Sequence, residues 1–272
     1  MSRWLNFDNH NVLVVGGTSG INLGIAEAFA EQGANVAVAS RSQSKVDAAI
    51  QRIAAFGNRT AGFAADVRDV AALESGLASV AAALGTIDTL VVGQAGNFPA
   101  AAMQLSPNGF KSVVDIDLLG SFNTIRLAHR HLTPGKANVI AISAPQASVP
   151  MAFQAHVCAA KAGVEMLTRV LAIELGPQNV RVNAIVPGPI EGTEGMERLA
   201  PTPEARESAR RSVPLRRYGT PREIADCAMF LASPLAGYIS GAIIPVDGGW
   251  SAAGAGASGG LDLPTAGAVP GD

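Results

Sequence analysis

The sequence predicts an α/β fold in which a doubly wound, all-parallel, seven-stranded sheet carries helices on both faces. Three observations predict it. Short apolar runs rich in Val, Ile and Ala recur along the chain, each is followed by a segment whose apolar residues repeat at helical spacing, and Gly, Pro or Ser/Asp clusters separate the two. Strands that alternate with helices in this way pair in parallel and are buried on both faces.

The elements follow in order. "NVLVVGG" is a β-branched run that ends in glycines, and in "INLGIAEAFAEQG" Ile21, Ile25, Ala28 and Phe29 recur at helical spacing before Gly33 closes the helix. "NVAVAS" reads as a second strand, "SKVDAAIQRIAAFG" as a helix, "RTAGFAAD" as a third strand and "VAALESGLASVAAALG" as a helix. "IDTLVVG" is a strand, and "PNGFKSVVDIDLLGSFNTIRLAHRHL" reads as one long helix. "ANVIAIS", a helix around "AFQAHVCAAKAG", "VRVNAIVPG" and a last strand in "GAIIPVDGG" complete a Rossmann-like pattern. One domain over residues 1–250 is expected. Residues 188–213 are charged, weakly periodic and punctuated by Pro and Gly, which suits a mobile lid, and the Gly/Ala/Pro-rich tail 251–272 suits disorder.

The bulk numbers narrow the partners. A chain of 272 residues with 48% hydrophobic and 15% charged residues buries one sizeable core, and a net charge of −2 offers no basic surface to nucleic acid. The apolar stretches are interrupted before a membrane-spanning length and the start lacks a signal-peptide organisation, so a cytoplasmic protein with a small-molecule partner and no membrane association is expected. Cys158 and Cys227 have no metal-ligand spacing and read as core thiols, with no metal site in view. His129 and His131 suit the negative end of the long helix, and His156 and Cys158 suit packing.

A strand, a glycine-rich turn and a helix can set a diphosphate against backbone N–H groups at the positive end of a helix dipole. The turn reads Gly16, Gly17, Thr18, Ser19, Gly20, Ile21, Asn22. Arg41, just past the second strand, suits a ribose 2′-phosphate better than a 2′-hydroxyl, so NADP(H) is expected over NAD(H).

From Asn11 to Trp250 the chain resembles the short-chain dehydrogenase/reductase family. The resemblance is carried by Gly16 and Gly20 in a G-x-x-x-G turn, Asp66, Ala95-Gly96, Lys161, "RVNAIVPGPI" and "GAIIPVDGG". It implies nicotinamide chemistry, a homotetramer or homodimer, and a cofactor held by Gly16, Thr18, Ser19, Gly20, Ile21, Arg41, Asp66, Val67, Ala95, Gly96, Lys161, Pro187, Gly188, Ile190 and Thr193. The departures are specific. Val15 replaces the usual threonine, Asn22 the third glycine, Gly93 the first asparagine of Asn-Asn-Ala-Gly, Ala144 the catalytic serine, Val157 the tyrosine and Asp117 the helix asparagine. The Asn22 side chain is expected to intrude where the cofactor comes close, on a backbone that tolerates the left-handed region.

Ketone reduction needs a proton donor at the carbonyl oxygen, which Val157 cannot be. Within the family, "AGNF", "LSPNGFKSVVDIDLLGSFN", "ELGPQNVRVN", "PGPIEGTEGMERL" and "LASPLAGYISGA" resemble the peroxisomal-type 2,4-dienoyl-CoA reductases, which also lack the tyrosine. That resemblance implies hydride addition to the δ-carbon of a dienoyl thioester and protonation at the α-carbon, giving a 3-enoyl-CoA, with Asp117 and Lys161 ordering a water. It also implies acyl-CoA contacts from Arg41, Arg68, Phe98, Ser106, Asn108 and Arg198. Two other readings stand beside it: a reductase of another conjugated or polyketide-like substrate, and a non-catalytic nucleotide-binding pseudoenzyme.

Overall fold

The computed structural model describes residues 5–252, so residues 253–272 of the expected tail lie outside the described residues. Strands β1 (Asn11–Val15), β2 (Asn35–Ser40), β3 (Thr60–Ala64), β4 (Thr89–Val92), β5 (Asn138–Ile142), β6 (Arg181–Pro187) and β7 (Ile243–Val246) form one parallel sheet in the order β3-β2-β1-β4-β5-β6-β7. The strand order reverses between β1 and β4, which opens a crevice at their carboxyl ends.

The central strands are mostly apolar and buried because both of their faces are covered. Val12 and Val14 of β1 point into one cluster and Leu13 and Val15 into the other, and β2 divides in the same way into Val36 and Val38 against Ala37 and Ala39. The first face is covered by α1 (Gly20–Glu31), α2 (Gln43–Ala54) and α9 (Pro221–Ala232) through Ile25, Phe29, Ile53 and Ile224. The second is covered by α3 (Val70–Leu84), α5 (Gly120–Ala128) and α6 (Ala155–Leu175) through Leu73, Leu77, Ile125 and Leu171. Each fully buried Ile or Leu contributes about 1.5–3 kcal/mol. The two layers therefore hold the strand ends, and the turns that leave them, in fixed register.

Two segments differ from expectation. The long helix from Pro107 is interrupted: α4 (Pro107–Val114) runs into a single π-helical turn over Asp115–Leu119, in which the Gly120 N–H donates to the Asp115 carbonyl, before α5 begins. The apolar spacing of "DIDLLG" fits an α-helix equally well, so only the backbone hydrogen bonds reveal the extra residue in that turn. The lid region is also more regular than its composition suggests. Thr193 and Thr202 accept backbone N–H bonds as N-caps of two helices, α7 (Glu194–Leu199) and α8 (Pro203–Ser212).

Candidate active site

The site begins at the paired charges. The Asp117 carboxylate sits in the π-turn with its residue 1% exposed, and Lys161 projects from α6 with 5% exposed. Asp117 Oδ1 accepts the Gly96 N–H at 2.6 Å, while Oδ2 lies 3.3 Å from Lys161 Nζ without hydrogen-bond angles. Lys161 Nζ donates instead to the Ile142 carbonyl at the end of β5, at 3.1 Å. One carboxylate oxygen is thus spent on fixing the turn after β4, and the other faces the ammonium with capacity to accept.

The backbone at the π-turn is pinned by side chains. Ser121 Oγ donates to the Asp117 carbonyl and accepts from Gln94 Nε2 at 3.1 Å, so the turn after β4 and the π-turn hold each other. Val157, where the resemblance puts a tyrosine, is 3% exposed and packs with Val113 and Ala160. That position gives Lys161 an apolar wall in place of a hydroxyl. Ser143, next to Ala144, donates to the buried Glu165 at 3.0 Å.

The cofactor candidates converge on the carboxyl ends of the strands. Gly16, Thr18, Ser19, Gly20 and Ile21 form the β1–α1 turn, Arg41 follows β2, Asp66 and Val67 follow β3, Ala95 and Gly96 follow β4, and Pro187, Gly188, Ile190 and Thr193 follow or end β6. Gly16 needs its missing side chain: its φ is +81°, and a Cβ would stand 2.8 Å from the Gln94 nitrogen. Ser19 is the N-cap of α1, and its hydroxyl makes no capping bond there. A Cβ on Gly20 would stand 3.6 Å from Thr193, so the start of the lid region reaches the glycine turn.

Asn22 departs from expectation. Its backbone is not left-handed, and its side chain turns toward the sheet, where Nδ2 donates to the Gly93 carbonyl at 2.7 Å. That hydrogen bond gives the Nδ2 end of the carboxamide a partner on the turn after β4, while Oδ1 is buried without a partner among the described residues.

The six acyl-CoA candidates fall into two groups. Phe98, Ser106, Asn108 and Arg198 gather around the loop after β4: Arg198 of α7 donates to the Asn97 carbonyl at 3.2 Å, and Phe98 lies beside the start of α4, where a Cβ on Gly109 would touch its ring at 3.5 Å. Ser106 caps α4 by accepting the Gly109 N–H, and Asn108 is exposed. Arg41 and Arg68 lie at the other end, near Asp66. Arg68 grips that carboxylate through Nε at 2.9 Å and Nη2 at 2.6 Å, which pulls the Asp66 carboxyl down to about 2.

Sequence reasoning missed a set of buried polar atoms at the same end of the sheet. Gln94 Oε1, Asn97 Oδ1, Gln154 Oε1 and both ring nitrogens of His156 have no hydrogen-bond partner among the described residues. The His156 ring lies 4.6 Å from that of Phe98 and is fully buried. Polar atoms buried at a strand-end cleft without partners are groups that a bound molecule or water satisfies. The periodicity of "AFQAHVCAAKAG" carries no sign of them, because their partners come from loops distant in sequence. A cavity of about 250 Å³ lined by Ile190, Val213, Leu215, Arg217, Glu223 and Asp247 contains neither Asp117 nor Lys161, and so is separate from the paired charges.

Remaining side chains fit structural roles. Burial raises the Cys227 thiol to about 11, which makes it inert, and both cysteines are unpaired. His129 bonds Gln178 at 2.8 Å, and burial lowers the pKa of His131. No described helix is long and apolar enough to cross a membrane.

A parallel Rossmann sheet with a glycine turn at its switch point and a buried Lys–Asp pair beside it defines a dinucleotide-dependent oxidoreductase. A family profile described as enoyl-(acyl carrier protein) reductase matches residues 15–251. A rat (Rattus norvegicus) peroxisomal 2,4-dienoyl-CoA reductase, (3E)-enoyl-CoA-producing, is 42% identical over 238 residues, which cover 87% of this chain and 82% of the relative. A Bacillus subtilis protein described as a probable 2,4-dienoyl-CoA reductase, (2E)-enoyl-CoA-producing, is 40% identical over 88% of this chain and 95% of its own length. The crystal structure of a short-chain dehydrogenase from Bacillus anthracis superimposes with a TM-score of 0.80 at 35% identity, covering 89% of this chain and 96% of that one. The chain belongs to the short-chain dehydrogenase/reductase family. Its reactions use a nicotinamide cofactor, and the residues here fit one: the unengaged Ser19 hydroxyl at the α1 N-terminus, the side-chain-free Gly16 and Gly17, and the unpartnered Gln94 and Asn97 oxygens all border the crevice.

Proposed function

We propose that this protein is an NADPH-dependent reductase of a conjugated acyl-CoA, with a 2,4-dienoyl-CoA as substrate and a 3-enoyl-CoA as product. One observation carries the reading: a buried Asp117–Lys161 pair stands beside Val157, so the site can order and polarise a water but has no tyrosine hydroxyl at that position to protonate a carbonyl oxygen. The names of the rat and Bacillus subtilis relatives support the substrate class.

When bound, the nicotinamide supplies hydride to the δ-carbon of the dienoyl thioester. Charge then spreads to the thioester oxygen, and the chain's task is to stabilise that oxygen and deliver one proton to carbon. Lys161 keeps Asp117 ionically paired and, with it, orders the water that protonates the α-carbon, while Val157 and Val113 exclude other water from that side. The Phe98, Ser106, Asn108 and Arg198 group receives the acyl thioester end, and Arg41 and Arg68 receive phosphates, Arg41 that of the NADPH ribose as well as that of CoA.

Two further expectations accompany this reading. The α7–α8 segment acts as a lid, held against the loop after β4 by Arg198. The chain self-associates through exposed apolar stripes on neighbouring helices, Met166, Val170 and Ile173 of α6 and Leu119 and Phe122 beside them, for which light scattering is the measurement.

The test is loss of NADPH absorbance with a 2,4-dienoyl-CoA, followed by NMR of the product. Turnover to a 3-enoyl-CoA is expected, with NADPH preferred over NADH and that preference lost in Arg41→Ala. A 2-enoyl product would move protonation to the γ-carbon. Turnover of a thioester-free enone alone would select a different conjugated substrate, nucleotide binding without turnover of either would select the non-catalytic reading, and no binding of either nucleotide would remove both reductase readings.

A further inference from the structure

We infer that Asn22 and Gly93 form one exchanged pair that sets the spacing of the cofactor crevice, with Asn22 as a positioning residue for the dinucleotide. The inference rests on the family's nicotinamide cofactor and is independent of the acyl substrate.

The chain carries Asn22 and Gly93, and the sequence resemblance marks each taken alone as a departure, from a glycine at 22 and from an asparagine at 93. In space the two departures meet. The Asn22 carboxamide lies against Gly93, its Nδ2 donating to the Gly93 carbonyl at 2.7 Å across 71 residues of sequence. A Cβ built on Gly93 would overlap both Nδ2 and Oδ1 of Asn22 and stand 2.5 Å from its Cγ. The backbone of Gly93 is outside the left-handed region, so conformational freedom does not explain the glycine. Space does: the carboxamide of 22 fills the volume in which a side chain at 93 would begin.

The contact lies where it matters for the cofactor. Asn22 is in the first turn of α1, whose N-terminus is the anion-binding end. Gly93 opens the turn that continues through Gln94, tied to Ser121, and Gly96, whose N–H fixes Asp117. Gly16 completes the junction, since a Cβ there would meet Gly93 and Gln94 backbone at 2.9 and 2.8 Å. The Asn22–Gly93 bond therefore fixes the separation between the diphosphate end and the Asp117–Lys161 end of the crevice.

The test is an exchange cycle of Asn22→Gly, Gly93→Asn and the double variant, with cofactor Kd from NADPH and NADH fluorescence titration, melting temperature and circular dichroism on each. Asn22→Gly should weaken cofactor binding about tenfold, the loss of one part-buried hydrogen bond and its packing. Gly93→Asn should weaken it about a hundredfold or more through overlap with Asn22, and the double exchange should recover to within about threefold of the wild type. If Gly93→Asn does not fold, Gly93→Ala and Asn22→Gly/Gly93→Ala give the same comparison, because the overlap begins at Cβ. The proposal is overturned if the double variant binds no better than the Gly93 variant alone, or if Asn22→Gly lowers only the melting temperature and leaves Kd unchanged. Absence of nucleotide binding by the wild type would overturn it too, and would fail the cofactor reading itself before any variant is compared.

Discussion

The two ends of the crevice have lost family residues in different ways. At the diphosphate end, two departures touch each other, and the Asn22 carboxamide occupies the place that Gly93 vacates. At the other end, Ala144 and Val157 have no such counterpart: Val157 closes into an apolar cluster, and the paired charges beside it are Lys161 and Asp117. A binding function needs its geometry conserved and tolerates an exchange that keeps the volume. A chemical function can be given up, provided that the reaction changes with it.

The comparison is broken most forcefully at the paired charges. Lys161→Ala and Asp117→Ala should each lower kcat/KM for a dienoyl-CoA by about a hundredfold or more, the usual size of a proton-transfer contribution, in proteins that remain folded by circular dichroism. Undiminished turnover in either variant would remove that residue from the chemistry. Next in size is Val157→Tyr. The added ring enters a cluster with Val113 and Ala160 and should cost about 1–3 kcal/mol by overpacking, seen as a lower melting temperature, without creating ketone reduction. A stable Val157→Tyr protein that reduces ketones would mean that the second end, too, is repaired by a single exchange.

Arg198→Ala is a smaller perturbation. It removes the guanidinium bond to the Asn97 carbonyl and should raise KM for acyl-CoA about fivefold while leaving the cofactor Kd unchanged, because the carbonyl it grips lies in the loop after β4. The smallest effect is electrostatic. Asp66 has its carboxyl lowered from 3.8 to about 2, first by the side-chain hydrogen bond from Arg68, so the pair stabilises the fold above about pH 4, and the gain disappears as pH falls through 2. The pair is partly exposed, with side chains 43% and 28% accessible, so Arg68→Ala should cost under about 1 kcal/mol at neutral pH. In urea melts the gap between wild type and variant should close between pH 4 and pH 2.

Much of this was legible in the chain, and the limits have physical causes. The parallel, doubly wound sheet follows from βα alternation and from runs such as "NVLVV" that are apolar on both faces, which a sheet covered on two sides accommodates, whereas the strand order came only from the structure. Asp117 and Lys161 could be named from motif position, and they meet in space. The π-turn was invisible, since an added residue changes the phase of a helix without changing which residue types it contains. The Asn22 contact was misjudged because its partner lies 71 residues away and was read as a separate anomaly. The α8 helix could have been found: Thr202-Pro203-Glu204 is an N-terminal helix signal, masked by the density of charge around it.

The π-turn has a consequence for how this protein tolerates insertion and deletion. The π-turn takes up one residue more than an α-turn, so removing one residue between Val114 and Gly120 would restore α-helical spacing, leave the flanking helices in phase and re-aim only the residues within the turn. Asp117 could keep its identity and still lose Gly96 or Lys161 as a neighbour. A substitution survey would pass over this, because no single side chain is responsible. The number of residues in that turn is as much a determinant of the site as the carboxylate it presents.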